Sequence, residues 1–568
     1  MLSRLTVVVC LFAALGTVPA ATAGDAEARI KALKERLQGM EALEKRLGPE
    51  KARLLSSGAQ NLLALSRRLN RLHPEQAVAA VQKAAELVAE EKAEASIQGL
   101  AVRRVSNPAT DFVLSQQTGF TQSETSTAWC GDNAVVGFND SGSFWETFIG
   151  TEGLSFNGVG RSTNGGQSFI DLGFLNPGPD FFNQLGGDPV VACWSEDDFA
   201  YASIFLFGAF PNVRTGISVS KSSDGGLTFA DPVPAVSKPE FEVISGVLFP
   251  THFLDKPWFA VSQLDPQNLY VTYTDFDDSG TSAGCGPQSR TAIEIVRSTD
   301  GGATWSAPLV LDEVCGGGGV VQGSQIAVGH QGHVFVAWEH FGDFVTREMR
   351  FARSNDGGAT FGPSVVVSPV TCVGDCYSLK GGFRSGFEFP SLAVDRSSGP
   401  TQGNLYLAWH DGRRVRAPDV ESPTGFYGFG DILLSRSTDG GSTWLPPLQV
   451  NAHDARSDQF QPGIAVDAKG QLGACFYDRQ LDAFNFFVGR SCAVSGDAGQ
   501  TWDERRVPRR LWSPFHATDA VVNPYYMGDY DTLTTDATAS HGHHGFLGAF
   551  SRQDAYGNPD VFANRFRP

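Results

Sequence analysis

Two short stretches of the chain hold a carboxylate, a guanidinium and a further donor within a few residues: His410-Asp411-Gly412-Arg413 and Tyr477-Asp478-Arg479. Acid/base hydrolysis needs one carboxyl that keeps its proton and one that stays ionised, and neighbouring charges and burial set which is which. Further acids stand beside prolines at the start of apolar runs, as in Asp188-Pro189, Asp255-Lys256-Pro257 and Glu388-Phe389-Pro390. Asp529 lies among Tyr525, Tyr526 and Tyr530. These tyrosines offer a nucleophile or a sugar-stacking platform, or else packing with hydroxyls at a wet edge. His541, His543 and His544 form an H-x-H-H run, and Asp275, Asp277 and Asp278 with Gly280 have part of a calcium-loop spacing. Neither has the other ligands of a metal set, so no metal and no cofactor are expected. Every one of these acids also has a plainer use, bonding loop N–H groups or stapling adjacent strands through Asp–Arg pairs. They are far apart in the chain and can act together only where a fold gathers them.

The elements that would gather them repeat. An eight-residue turn occurs six times: Ser162–Phe169 (STNGGQSF), Ser222–Phe229 (SSDGGLTF), Ser298–Trp305 (STDGGATW), Ser354–Phe361 (SNDGGATF), Ser437–Trp444 (STDGGSTW) and Ser495–Trp502 (SGDAGQTW). Asp224, Asp300, Asp356, Asp439 and Asp497 are placed to bond N–H groups within a hairpin turn, glycine supplies positive φ, and the aromatic packs beneath. These aspartates therefore hold strands together and are poor catalytic candidates. A second element precedes each turn, a short apolar strand introduced by a polar residue and often a proline, as in Asp188–Val191, Asp255–Trp258, Gln325–Val328, Phe389–Leu392 and Gln461–Ile464. Residues 123–128 (SETSTA) and 528–534 (GDYDTLT) fill the same slot at the two ends. Near-continuous apolar second strands such as Leu405–Trp409 imply sheets buried on both faces, as in a ring of radial blades. Seven inner strands against six turns predict a seven-bladed β-propeller, closed by an N-terminal strand at Asp111–Ser115; six blades is the alternative if one module is a decorated loop.

Ahead of the repeats, residues 24–105 are rich in Ala, Leu, Glu, Lys and Arg, with apolar positions at Ile30, Leu33, Leu37 and Met40 in helical spacing. Gly48-Pro49 and His73-Pro74 divide this α-helical region, which reads as a spacer or cap, or as an oligomerisation segment. Residues 1–23, with Arg4, an apolar run and Ala21-Thr22-Ala23, read as a signal peptide. The expected location is secreted, extracellular or periplasmic. No later segment reaches the roughly 18 apolar residues of a membrane span. Removing Cys10 leaves eight cysteines for an oxidising compartment, and the expected local pairs are Cys130 with Cys193, Cys285 with Cys315, Cys372 with Cys376 and Cys475 with Cys492. A net charge of −18 argues against nucleic acid as a partner. The 64 glycines and 30 prolines in 568 residues suit many short strands joined by tight turns.

The six turns resemble the Asp boxes (BNR repeats) of the secreted bacterial sialidase-like β-propeller superfamily, over residues 106–568. In that family the boxes lie on the rim, and the substrate face is built from loops leading into each innermost strand and out of the second strand. The resemblance thus gathers Glu124, Asp188, Asp255, Glu388, Gln461 and Asp529 with Asp140, Asp275, Glu339, His340, His410, Asp411, Arg413, Tyr477, Asp478, Arg479 and Arg552 around one depression. Sialidases grip a sugar carboxylate with three arginines and use a Tyr/Glu nucleophile pair with an Asp acid/base. The position of their first arginine, in an R-I-P motif, reads Gln122-Ser123-Glu124-Thr125-Ser126 here, an acid in place of a cation. The function implied is a glycoside hydrolase acting on an extracellular glycan or glycoconjugate, with Asp411, Asp478, Glu388 and Tyr477 as catalytic candidates. Arg413, Arg479, Arg552, Asp188, Asp255, Asp529 and His410 are the substrate-binding candidates. The alternative is a non-catalytic propeller that binds a glycan or a protein.

Overall fold

In the computed structural model, residues 42–48, 55, 102–107 and, apart from short internal stretches, 121–567 are described. They form a seven-bladed β-propeller of antiparallel sheets. Blade 1 comprises Gln122–Cys130, Asn133–Asp140, Asn157–Ser162 and Ile170–Phe174. Blade 2 is Val190–Cys193, Phe199–Phe207, Arg214–Ser222 and Val233–Pro239. Blade 3 is His252–Val261, Leu269–Asp277, Arg290–Ser298 and Leu309–Cys315. Blade 4 is Val320–Val328, Val334–Phe341, Arg347–Ser354 and Val365–Val370. Blade 5 is Ser391–Val394, Leu405–Pro418, Phe426–Ser437 and Leu448–Gln449. Blade 6 is Gln459–Val466, Leu472–Asp478, Val488–Ser495 and Asp503–Trp512. Blade 7 takes Leu533–Thr534, Phe546–Gln553 and Pro559–Phe566 from the C-terminal end and Val102–Arg104 from the N-terminal side. Second strands such as Leu405–Trp409 are buried throughout because a blade lies on each side of them, while outer strands such as Val365–Val370 alternate in exposure.

Each repeated turn is a closed set of hydrogen bonds. In Ser298–Trp305, Ser298 Oγ donates to Asp300 Oδ1 (2.7 Å), the Thr304 N–H donates to the same oxygen (2.9 Å), Thr304 Oγ1 donates to Oδ2 (2.5 Å) and the Gly302 N–H donates to Ser298 Oγ (2.8 Å). The threonine hydroxyl and N–H bonds hold the carboxyls of Asp300 and Asp439 down to about 2. In five repeats the residue before the serine is a cation, and it reaches the turn of the next blade. Arg161 donates to Gly225 O (2.7 Å), Lys221 to Gly301 O (2.8 Å), Arg297 to Gly357 O (3.1 Å), Arg353 to Gly440 O (3.2 Å) and Arg436 to Ala498 O (3.0 Å). Arg565 of blade 7 completes the circuit by donating to Gly165 O of blade 1 (2.8 Å). Blade 6 has Val494 at that position, and blade 7 has no such turn to be reached.

Closure is by an N-terminal strand, as expected, but at different residues. Val102–Arg104 pairs antiparallel with Phe562–Asn564, so the propeller begins a few residues before the boundary of 106. Asp111–Ser115 lies outside the described residues, as do the signal segment and most of 24–101. The helix Ser141–Ile149, between the second and third strands of blade 1, was not anticipated. Asp140 caps it, accepting from the Gly142 N–H (2.8 Å) and Ser143 Oγ (2.5 Å). All four cysteine pairs form as expected, Cys475 and Cys492 facing each other across consecutive strands. No helix among the described residues is long and apolar enough to cross a membrane.

The turns lead to two expectations. At Gly441 (φ +90°) an added Cβ would lie 2.0 Å from Phe351 Cε1 on the preceding blade, so Gly441→Ala should lower stability by about 2–4 kcal/mol. Arg353→Ala, which loses the staple together with its contacts to His333 and the Phe335 ring, should lower it by about 1 kcal/mol; denaturant midpoints check both. The carboxyls of Asp300 and Asp439 have lower pKa values folded than unfolded, so the stability they add is complete above about pH 4 and is lost as pH falls towards about 2. Thr443→Val should flatten that acid limb in urea titrations.

Candidate functional site

Four of the seven innermost strands share an irregularity near one end. Their register against the second strand slips between Ser123 and Ser126, Asp255 and Trp258, Gln322 and Gln325, and Phe460 and Gly463. At the slips Glu124, Lys256 and Gln461 take φ of +54°, +49° and +51°, Gly323 takes +70°, and Asp188 at the head of blade 2 takes +55°. Left-handed backbone costs a non-glycine residue about 1–2 kcal/mol, so four such residues at one level of the ring mark a place where side-chain direction has been put ahead of backbone comfort.

Their side chains meet. The Lys256 ammonium is buried 2.9 Å from Glu124 Oε1, 2.8 Å from Asp529 Oδ2 and 3.9 Å from Asp188 Oδ2, and lies 4.7 Å from the Tyr530 ring centroid. Glu124 Oε1 also accepts from the Tyr526 hydroxyl (2.9 Å) and the Asp529 N–H (2.8 Å), and Oε2 accepts from Asn139 Nδ2 (3.0 Å). Arg384 lies 3.4 Å from Asp529 and stacks 4.7 Å from the Tyr526 ring centroid. Burial raises the Glu124 carboxyl well above the usual range, and Asp188 and Asp529 add to this against the opposing pull of Lys256. Burial also raises Asp529, but Arg384 and Lys256 outweigh it and hold that carboxyl below its ordinary value. The three surrounding acids keep Lys256 charged despite its desolvation. The cluster therefore sets side by side one carboxyl whose hold on a proton is strengthened and one whose hold is weakened.

A second group lies on blades 4 and 5. Arg347 pairs with Glu388, whose Oε1 accepts the Val373 N–H (2.8 Å), and Glu339 is 3.8 Å from Arg347. Burial and the facing Glu388 push Glu339 well above its usual range. His410 Nδ1 accepts the Gln461 N–H (3.3 Å), and burial lowers the ring's pKa. Asp255 accepts from Gln322 Nε2 (3.1 Å) between the two groups.

Of the residues singled out from sequence, Glu124, Asp188 and Asp529 are thus in the Lys256 cluster, Glu388 and His410 are in the second group, and Asp255 lies between them. Asp411 is engaged by Arg413 Nε (2.8 Å) and Trp409 Nε1 (3.0 Å). Asp478 accepts from Gln459 (2.9 Å), Ser491 (2.9 Å) and the Gln480 N–H (2.8 Å). The Tyr477 hydroxyl bridges the Ser551 N–H (2.9 Å) and carbonyl (3.2 Å) of blade 7. Arg479 donates to Asn485 O (3.0 Å) and pairs with Asp458, and Arg552 stacks on Phe562 at 3.8 Å. These five and Arg413 link strands and blades. Asp275 pairs with Lys238 (2.7 Å) and His252 (3.1 Å), and Asp277 lies close to both His252 and Arg290. Lysine and arginine already occupy the surroundings a calcium ion would need. Tyr525, His541 and His543 lie outside the described residues. Arg384 and Arg347 went unrecognised because no local motif marks them, and Lys256 because the proline beside it drew the reading.

No known family description matches the chain, and no curated protein matches it. Among solved structures, it is similar to a protein of unknown function from Dyadobacter fermentans, with 12% identity, 82% of this chain and 98% of that one covered and a TM-score of 0.40. It is also similar to the α-L-arabinofuranosidase Arb93A of Fusarium graminearum (11% identity, 80% and 98% covered, TM-score 0.38). A third is a family PL25 ulvan lyase (10%, 79% and 94%, TM-score 0.45). The architecture itself rests on the seven sheets described above.

The charge arrangement is measurable. A carboxylic-acid carbonyl band should persist in the infrared spectrum to higher pH than an ordinary carboxyl allows and lose intensity in Glu124→Gln, the raised Glu339 carboxyl contributing the remainder. Lys256→Met, which strands buried carboxylates, should cost about 3–5 kcal/mol in denaturant unfolding.

Proposed function

We propose that the chain is an exported, carbohydrate-active propeller and that it hydrolyses a glycosidic bond at the Lys256 cluster. The observation that carries this is that Glu124 and Asp529 meet across one buried lysine, Glu124 2.9 Å and Asp529 2.8 Å from its ammonium, with burial raising the first carboxyl and Arg384 and Lys256 lowering the second. Both lie within hydrogen-bonding distance of Lys256 Nζ, so the facing oxygens are no more than about 5.7 Å apart. Retaining glycosidases hold their two carboxyls about 5–5.5 Å apart, whereas inverting enzymes need room for a water between them. Glu124 would protonate the leaving oxygen, and Asp529 would attack or stabilise the anomeric carbon. Tyr526 would orient Glu124, and Arg384 with Lys256 would keep Asp529 ionised. Acids outnumber cations here, and Glu124 stands where a sugar carboxylate would need an arginine, so the substrate that fits is a neutral glycan. Asp188, Asp255, Glu388 and His410 would line the flanking subsites. Four disulfides support an oxidising location.

A second reading, glycan binding without turnover, is favoured by the complete burial of Glu124 and Asp188. Reducing-sugar release from a panel of neutral polysaccharides separates the two. Hydrolysis predicts turnover that Glu124→Gln and Asp529→Asn each lower at least about 100-fold, with little change from Asp411→Asn. Binding in the panel without turnover would leave the second reading, and neither binding nor turnover would remove both.

A further inference from the structure

Part of the chain's own N-terminal region packs on the propeller and touches Arg384 beside the Lys256 cluster. Residues 42–48 are helical, with Leu43 buried and Leu47 partly so, while Lys45 and Arg46 between them are exposed. Leu43 and Leu55 join the same apolar cluster as Phe144, Phe387, Phe389 and Val522, and Leu47 packs against it. Two polar contacts fix the segment. The Leu55 carbonyl accepts from Arg384 (3.1 Å), the arginine that stacks on Tyr526 and pairs with Asp529, and Arg46 pairs with Asp278 (3.3 Å) at the end of the second strand of blade 3. Leu55 is fully buried although it precedes the propeller in the chain, and it belongs to the propeller's apolar cluster.

We propose that this N-terminal segment is an autoinhibitory cap, an intramolecular occupant of the axial face that must be displaced before a sugar reaches Glu124 and Asp529. The inference rests on the carbohydrate reading of that site. The Leu55 carbonyl takes the Arg384 N–H that a sugar hydroxyl would use, and the leucines join the apolar cluster that holds Phe387 and Phe389. Leucines at positions 43 and 47, one helical turn apart, give the segment one adhesive face, and two ionic or polar contacts set its position. Such a contact is reversible, because nothing covalent ties the segment to the face among the described residues.

The test uses the full-length protein, its Leu43→Asp/Leu47→Asp variant and, as a second variant confined to the surface, Arg46→Glu. Amide hydrogen exchange is followed at residues 526–530 and at the turn 298–305 on the rim, and binding of xylopentaose, cellopentaose and mannopentaose is measured by calorimetry. The cap predicts that exchange at 526–530 rises at least ten-fold in the double variant and by less in Arg46→Glu, with the rim turn unchanged, and that a pentasaccharide binds at least ten-fold tighter. Unchanged exchange at 526–530 in both variants would overturn the cap. Equal loosening of the rim turn would do so too, because the segment would then be a structural part of the propeller. Faster exchange at 526–530 with no sugar bound would support the cap and count against the carbohydrate reading.

Discussion

Ring closure is the constraint from which the other features follow. A radial sheet with apolar residues on both faces is stable only between two neighbours, so a row of blades must return on itself or leave two faces wet. Here the circuit is completed twice over. Val102–Arg104 supplies the outer strand of blade 7, and Arg565 reaches the turn of blade 1 as the other cations reach their neighbours. The repeated turn is built for this purpose as well as for its own hairpin. Its serine and aspartate satisfy the backbone locally, which leaves a glycine or alanine carbonyl free to accept from the blade before. Where blade 7 lacks the turn, blade 6 lacks the cation.

Closure also sets the electrostatics at the centre. Seven innermost strands end around one axis, where Glu124 and Lys256, each at a bulge in blades 1 and 3, meet Asp188 and Asp529 from the heads of blades 2 and 7. Removing a lysine and several carboxylates from water is expensive unless each is paired. The pairing here is unequal, with more carboxyls than cations, and the acids do not share it evenly. Glu124, fully buried and facing two other acids, is raised well above the usual carboxyl range. Asp529 is held below it, because Arg384 reaches it from the segment before blade 5. This division belongs to the assembly of four blades and to no residue alone. It also explains how four non-glycine residues can hold a left-handed backbone at the same level: the contacts their side chains make offset the local cost.

The propeller, its blade number, the pairing of the cysteines and the structural role of the turn aspartates were all legible in the sequence. Each depends on a pattern short enough to lie in one stretch of chain: eight residues for the turn, five or six for a strand, and the spacing of cysteines on strands already placed. Glu124, Asp188 and Asp529 were legible too, as polar residues at the heads of inner strands. The position of the closing strand was not, since Val102–Arg104 has nothing to distinguish it locally from the helical composition before it, and its pairing partner lies more than 450 residues away. Nor was the work of Asp411, Asp478 and Arg479, whose grouping suggests a site although their hydrogen bonds run to neighbouring strands.

The sequence by itself determined which residues turn, which alternate and which are buried on both faces, because these follow from local hydrogen bonding and hydrophobic period. Only the tertiary structure decided which acid meets which cation. Lys256 is 132 positions from Glu124, and Arg384 is 145 from Asp529. Coulomb interactions depend on distance through space, and that distance is set once the ring has closed.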